Sequence, residues 1–213
     1  DWFVECGADF VVFAARCNLG NAYYPTEYGI PHPSMEGDLY GDLVAACHAR
    51  GIAISAYMNI GLSHEQAYRR RDWTVIKADG KMYTEPFEGS FSRHMCYNTS
   101  YADHAIEMAC EVAKRYSLEG LFFDCFHTPP CIGVECMEKM QAEGVDWEDP
   151  EQLNDFNYRK VLAMAGRMSD AIRKVNPELL VYYNGLDYAA QADLGTYLEL
   201  ECLPQGPWGY ELL

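Results

Sequence analysis

Three acidic side chains define the chemistry open to this sequence. Asp124 closes the apolar run from Gly120 to Asp124 (GLFFD), and a carboxylate at the end of such a run is costly to bury unless it has partners or a task. Glu199 and Glu201 alternate with Leu198, Leu200 and Cys202, so a period of two turns both glutamates to one face of an extended segment. Two strand-end carboxylates facing one cleft are what glycoside hydrolysis requires: one attacks the anomeric carbon or activates water, and the other protonates the leaving oxygen. Asp124 and Glu201 are the expected catalytic pair, with Glu199 set deeper as an anchor for substrate or neighbouring polar groups. A carboxyl separation of about 5–5.5 Å would signal retention, and one of about 6.5–9.5 Å inversion.

Around the carboxylates the sequence offers a carbohydrate-like set: Tyr23, Tyr24, His32, Tyr57, Asn59, Asn98, His127, Asn184 and Trp208. Aromatic faces stack on sugar rings, while amides and imidazoles bind hydroxyls, so His32, Asn98 and Asn184 are expected to hold hydroxyls and Tyr57 or Trp208 to shape the ring site. Cys125, His127, Cys131 and Cys136 form a Cys-x-His-x3-Cys-x4-Cys cluster after the third strand. That spacing is not a paired CxxC zinc site, and no metal or other cofactor is expected. Cys125 with His127 could form a nucleophile and base, but this leaves the two glutamates unexplained.

The elements that must position these residues read as alternating strands and helices. Five runs have strand character: Ala8 to Ala15, Ile52 to Ile60, Gly120 to Phe126, Leu179 to Gly185 and Tyr197 to Cys202. Most are continuously apolar, as strands covered on both faces are. Helices are expected over Met35 to Arg50, Tyr101 to Tyr116, Cys136 to Ala142 and Phe156 to Val175, the last stopped by Asn176 and Pro177. Asp1 to Gly7 reads as the end of a helix. The order implies a parallel α/β layout, and since no glycine-rich phosphate loop follows any strand, the (β/α)8 barrel is favoured over the doubly wound sheet. Five strands do not close a barrel of eight. Residues 1–213 therefore read as one incomplete barrel domain, cut at both ends. The long connections 16–34 and 61–100 are expected to wall the cleft.

Composition narrows the partners. The 213 residues carry 32 acidic against 16 basic side chains, a net charge of -16 that disfavours a polyanion such as nucleic acid. No apolar run is long enough for a membrane span. Nine cysteines, an odd number in apolar surroundings, suggest reduced thiols and a cytoplasm-like compartment. The expected partner is a small-molecule or oligosaccharide substrate.

The chain also resembles a known family. Ala22 to Pro25 (AYYP) with His32-Pro33, His48 to Ile52 (HARGI) with Ala56-Tyr57, Trp73, and Asp79-Gly80 are similar to the hypothetical glycosyl hydrolase 6 domain. The likeness continues through Asn98 to Tyr101 (NTSY), Leu121 to Asp124 (LFFD), Tyr183 to Gly185 (YNG), Leu198 to Glu201 (LELE) and Trp208 to Tyr210 (WGY). This resemblance implies a (β/α)8 hydrolase related to the α-L-fucosidases of glycoside hydrolase families 29 and 151. By analogy Asp124 takes the role of nucleophile in a retaining mechanism, while Glu201 as acid and base rests on strand geometry. Members of that family often carry Cys-x-Cys-x-x-Cys after this strand; Gly133 stands at the middle position here, which weighs against a metal. A β-galactosidase-like specificity and a sugar-binding barrel without turnover are the alternatives.

Overall fold

Parallel strands with helices between them organise the chain, whose computed structural model describes residues 2–82 and 93–199. In order the elements are α1 (Trp2–Glu5), β1 (Phe10–Arg16), β2 (Asn21–Ala22), β3 (Ile30–Pro31), α2 (Leu39–His48), β4 (Ala53–Asn59) and α3 (His64–Arg69). A 3-10 turn (Arg71–Trp73) follows, then α4 (Tyr101–Arg115), β5 (Gly120–Asp124), α5 (Val134–Glu143), α6 (Pro150–Val175), β6 (Leu180–Tyr183) and α7 (Tyr188–Leu194). The sheet order is β3-β2-β1-β4-β5-β6, and β1, β4, β5 and β6 run parallel.

Register explains how the site is built. Tyr57 of β4 lies beside Ala14 of β1 and Phe122 of β5, and Phe122 beside Tyr182 of β6; two residues further along, Asn59 pairs with Asp124. Because side chains alternate, Met58, Phe123 and Tyr183 point the other way, where they are fully buried. There they meet Ala105, Met108 and Val112 of α4 and Val161, Met164, Ala165, Met168 and Ile172 of α6 in one core. Burying a side chain such as Phe123 contributes about 1.5–3 kcal/mol. One face of the sheet therefore holds the helices in place, and the other presents the polar strand ends.

Helix limits follow local chemistry. Helix α6 begins at Pro150 rather than Phe156, because the Asp149 carboxylate accepts the Glu151 N–H and Pro150 occupies the first turn, where no amide donor is needed. Helix α2 begins at Leu39 rather than Met35: Gly37 is left-handed (φ 69°), and Asp38 caps the helix through the Gly41 N–H. Helix α5 runs two residues further toward the N-terminus than expected, from Val134, and ends at left-handed Gly144.

The first long connection contains two short strands that hydropathy did not reveal, β2 antiparallel to β1 and β3 at the sheet edge, where Pro31 costs no ladder bond. The fifth expected strand differs. Tyr197–Glu199 carry no regular structure, and residues 200–202 lie outside the described residues. Thr196 already occupies the β6 ladder, its N–H donating to the Val181 carbonyl and its hydroxyl accepting the Val181 N–H. The following turn is then held by the Tyr182 hydroxyl on the Glu199 carbonyl. Among the described residues no helix is long and apolar enough to cross a membrane, and eight cysteines are free thiols.

Candidate active site

Asp124 sits where β5 ends, half-buried, and four donors meet its carboxylate. The Tyr57 hydroxyl donates to Oδ2 at 2.5 Å and the Asn184 amide to Oδ1 at 2.9 Å. The Asn59 amide and the Cys125 thiol approach Oδ2 at 3.3 and 3.4 Å. Each donor comes from a strand end brought alongside by register: Tyr57 and Asn59 from β4, Asn184 from the residue after β6. Burial, then the hydrogen bond to Asp124, pushes the Tyr57 phenol above its ordinary range, so it stays protonated and remains a donor.

The supports behind these donors are buried. Asn59 is fully buried, and its side-chain oxygen accepts the Leu62 N–H at 3.0 Å. Its backbone carbonyl accepts the guanidinium of Arg16, which also reaches Gln66 Oε1 at 2.9 Å and the Leu62 carbonyl. Arg16 is 0% exposed, and its partners among the described residues are neutral. It thus pins the β4 end without competing for the Asp124 carboxylate.

Two glycines permit the close approach of the strand ends. A Cβ on Gly61 would lie 1.7 Å from the Cys125 carbonyl oxygen, and one on Gly185 (φ 107°) would lie 2.9 Å from the His127 nitrogen. Cys125 itself is left-handed (φ 50°), a conformation that costs a side-chain-bearing residue of order 1–3 kcal/mol, and the chain turns there to leave Asp124 at the edge.

A cavity of about 300 Å³ opens onto this carboxylate, lined by Val12, Tyr57, Phe122, Asp124, Tyr182, Asn184 and Glu199. Tyr57, Phe122 and Tyr182 form a continuous aromatic wall, with ring centroids 5.8 and 5.0 Å apart. Glu199 also lines the cavity, and its Oε2 accepts the Tyr197 hydroxyl at 3.3 Å. A ring-sized pocket with an aromatic wall, amide donors and two carboxylates suits a small polar ring.

Of the residues singled out from sequence, Asp124, Tyr57, Asn59, Asn184 and Glu199 come together here. Others are placed elsewhere. Tyr24 is fully buried on the helix side, its hydroxyl on Glu111 at 3.2 Å. His32 stacks on Tyr23 and accepts the Ser34 N–H. Asn98 bridges the Cys136 sulfur and Lys139. His127 stands next to Gly185, outside the cavity lining. Glu201 and Trp208 lie outside the described residues. The cysteine cluster read from sequence regroups: Cys131 and Cys136 join Cys96, which is distant in sequence, while Cys125 turns to Asp124. Arg16, Tyr182 and the two glycines were not foreseen, although a glycine directly after each of two strands, Gly61 and Gly185, was a visible sign of close backbone approach.

Comparison with known proteins gives this geometry a context. The description "hypothetical glycosyl hydrolase 6" belongs to the family whose profile matches residues 1–125, more than half of the chain. The chain belongs to this family. The hypothetical glycosyl hydrolase 6 chain is similar in structure to α-L-fucosidase isoenzyme 2 from Paenibacillus thiaminolyticus, with 28% identity and a TM-score of 0.90 over 98% of this chain and 32% of that one. A β-galactosidase from Halorubrum lacusprofundi matches at 14% identity and TM-score 0.64, over 90% of this chain and 35% of that one. A family 29 α-L-fucosidase from Bacteroides thetaiotaomicron matches at 15% identity and TM-score 0.52, over 84% and 31%. The last two share the fold. No curated protein matches the sequence. The chain spans about a third of the length of each of these structures. Its mostly parallel sheet and flanking helices agree with an incomplete (β/α)8 barrel.

Proposed function

We propose that this domain carries the nucleophile of a retaining glycosidase that removes a terminal sugar, with α-L-fucosides as the substrate class. The observation that carries the reading is the Asp124 carboxylate, held on both oxygens by neutral donors at the mouth of an aromatic-walled cavity. The likeness to an α-L-fucosidase over 98% of the chain supports the substrate class.

In this reading Asp124 Oδ attacks the anomeric carbon as the glycosidic bond breaks, and a carboxylic acid gives its proton to the departing oxygen. Water then attacks the glycosyl ester, the second carboxylate takes its proton, and Asp124 is released. Glu201 is the proposed acid and base from its alternation with Glu199; Glu199, which lines the cavity, is the residue against which that assignment is tested. Tyr57 and Asn184 orient the attacking carboxylate, and the wall of Tyr57, Phe122 and Tyr182 takes the apolar face of the ring. Asn59 and Arg16 fix the β4 end.

Incubation of the full-length protein with 2-deoxy-2-fluoro-fucosyl fluoride tests this, because the fluorine slows hydrolysis of the glycosyl-enzyme. The reading requires one sugar per chain, on the peptide containing Asp124. A label elsewhere, or turnover of fucosides without any label, contradicts it. Glu201→Gln should slow poorly activated substrates far more than aryl ones, whereas the same pattern in Glu199→Gln alone would transfer the acid and base role to Glu199.

A further inference from the structure

Three thiols meet in a second cluster, separate from the Asp124 cavity. Cys96 lies between the 3-10 turn and α4, Cys131 in the loop after β5, and Cys136 in the first turn of α5. They are 0%, 2% and 1% exposed, and their sulfur atoms all lie within 4.8 Å of one another, Cys96 and Cys136 at 3.4 Å. Tetrahedral zinc thiolates have Zn–S bonds of about 2.3 Å, which places sulfurs just under ~4 Å apart, so these three need only small shifts to share one cation.

The surroundings of Cys131 are those of a thiolate rather than of a buried apolar cysteine. The backbone N–H groups of Ile76 and Gly133 both point at the Cys131 sulfur at 3.3 Å, and the Asn98 amide points at the Cys136 sulfur at 3.3 Å. Outer hydrogen bonds of this kind orient the ligands of a metal and spread their negative charge. The Lys160 ammonium is buried, with no hydrogen-bond partner among the described residues, and its charge acts on Cys96 and Cys136. A bare buried ammonium is costly, and a complex of one dication with three thiolates carries the single negative charge that would offset it.

A cavity borders the three thiols. A Cβ on Gly133 would come within 3.3 Å of the Cys131 sulfur, and this cavity of about 360 Å³ is lined by Cys96, Cys131, Gly133 and Cys136 together with Asp72 and Thr74. We infer that Cys96, Cys131 and Cys136 form a three-thiolate site for a thiophilic divalent cation of the zinc class, its fourth position left to water or a small exogenous ligand. Binding deprotonates the thiols, and their protons pass to solvent. The cation would tie together three connections already joined by the Ile132 N–H to Ile76 carbonyl bond and by a shared apolar cluster: the strand-like stretch around Thr74 and Met95, the loop after β5, and the start of α5.

The test uses the full-length protein purified under reducing conditions and dialysed without chelator. Elemental analysis should find one zinc per chain, lost in Cys131→Ser and Cys136→Ser and kept in Cys110→Ser. Because the serine variants could fail to fold, apo wild-type protein is also titrated with cobalt(II), which should produce sulfur-to-cobalt charge-transfer absorption that one equivalent of zinc removes. Zinc content no higher than in the serine variants, together with no charge-transfer band, would overturn the site. A Cys96–Cys136 linked peptide in the untreated protein would also overturn it, in favour of a disulfide.

Discussion

Replacing Tyr57 by Phe removes one oxygen from the proposed nucleophile's surroundings and little else. The ring stays stacked on Phe122, with centroids 5.8 Å apart and planes 18° apart, so the cavity wall is kept. What is lost is the 2.5 Å hydrogen bond to Asp124 Oδ2, leaving the longer Asn59 and Cys125 contacts at 3.3 and 3.4 Å on that oxygen. A hydrogen bond to a charged group contributes about 1.5–3 kcal/mol. If it is needed to hold the carboxylate for attack, the loss appears in the barrier, and at 1.36 kcal/mol per factor of ten kcat/KM falls roughly 10- to 150-fold. The assay is release of aryl alcohol from an aryl α-L-fucoside by the full-length protein, with thermal unfolding recorded in parallel. Because burial and Asp124 hold the phenol above its ordinary range, wild type should show no loss of rate from Tyr57 ionisation up to about pH 10. A Tyr57→Phe enzyme with wild-type kcat/KM and an unchanged melting temperature would refute the positioning role.

Other consequences follow from the same geometry. Gly61→Ala drives a methyl into the Cys125 carbonyl and should cost about 3 kcal/mol or more by urea unfolding, whereas Gly51→Ala, with open space around it despite φ 71°, should cost only about 1–2 kcal/mol. Asn184→Asp places a second carboxylate against Asp124 and should lower kcat/KM on aryl fucosides at least about tenfold, since like charges at hydrogen-bond distance oppose ionisation of both. His104 accepts the Gln66 amide proton on Nε2, and burial lowers its pKa from 6.5 to about 4. The unfolded chain therefore binds more protons between those values, so stability should fall as pH drops from about 6.5 to about 4, and His104→Gln should make that part of a melting-temperature profile shallower, the rest coming from His94, whose pKa burial lowers to about 4 as well.

The parallel core strands were legible because each is a largely apolar run bounded by glycine or polar residues, and β1, β4, β5 and β6 lie within two residues of the expected limits. Asp124 was legible for the same reason: a charge at the end of such a run stands out. Tyr57, Asn59 and Asn184 could be collected from their strand-end positions, but only register shows that Asn59 and Asp124 are direct neighbours. Tyr24 and His32 carry sugar-binding side chains, yet the turn through β2 sends Tyr24 into the helix layer and stacks His32 on Tyr23. Side-chain type does not reveal that direction. Cys96 could not be joined to Cys131 and Cys136 from spacing, since 34 residues, with a helix and a strand among them, separate it from the nearer one.

The central claim is that Asp124 attacks the sugar. Its most direct test is the full-length Asp124→Gly variant assayed on an aryl α-L-fucoside with and without azide. The account predicts that turnover is abolished without azide and restored by it, with β-L-fucosyl azide, the anomer opposite to the substrate, as product. Turnover that survives the substitution, or a lost activity that azide leaves unrestored in a folded protein, would contradict it.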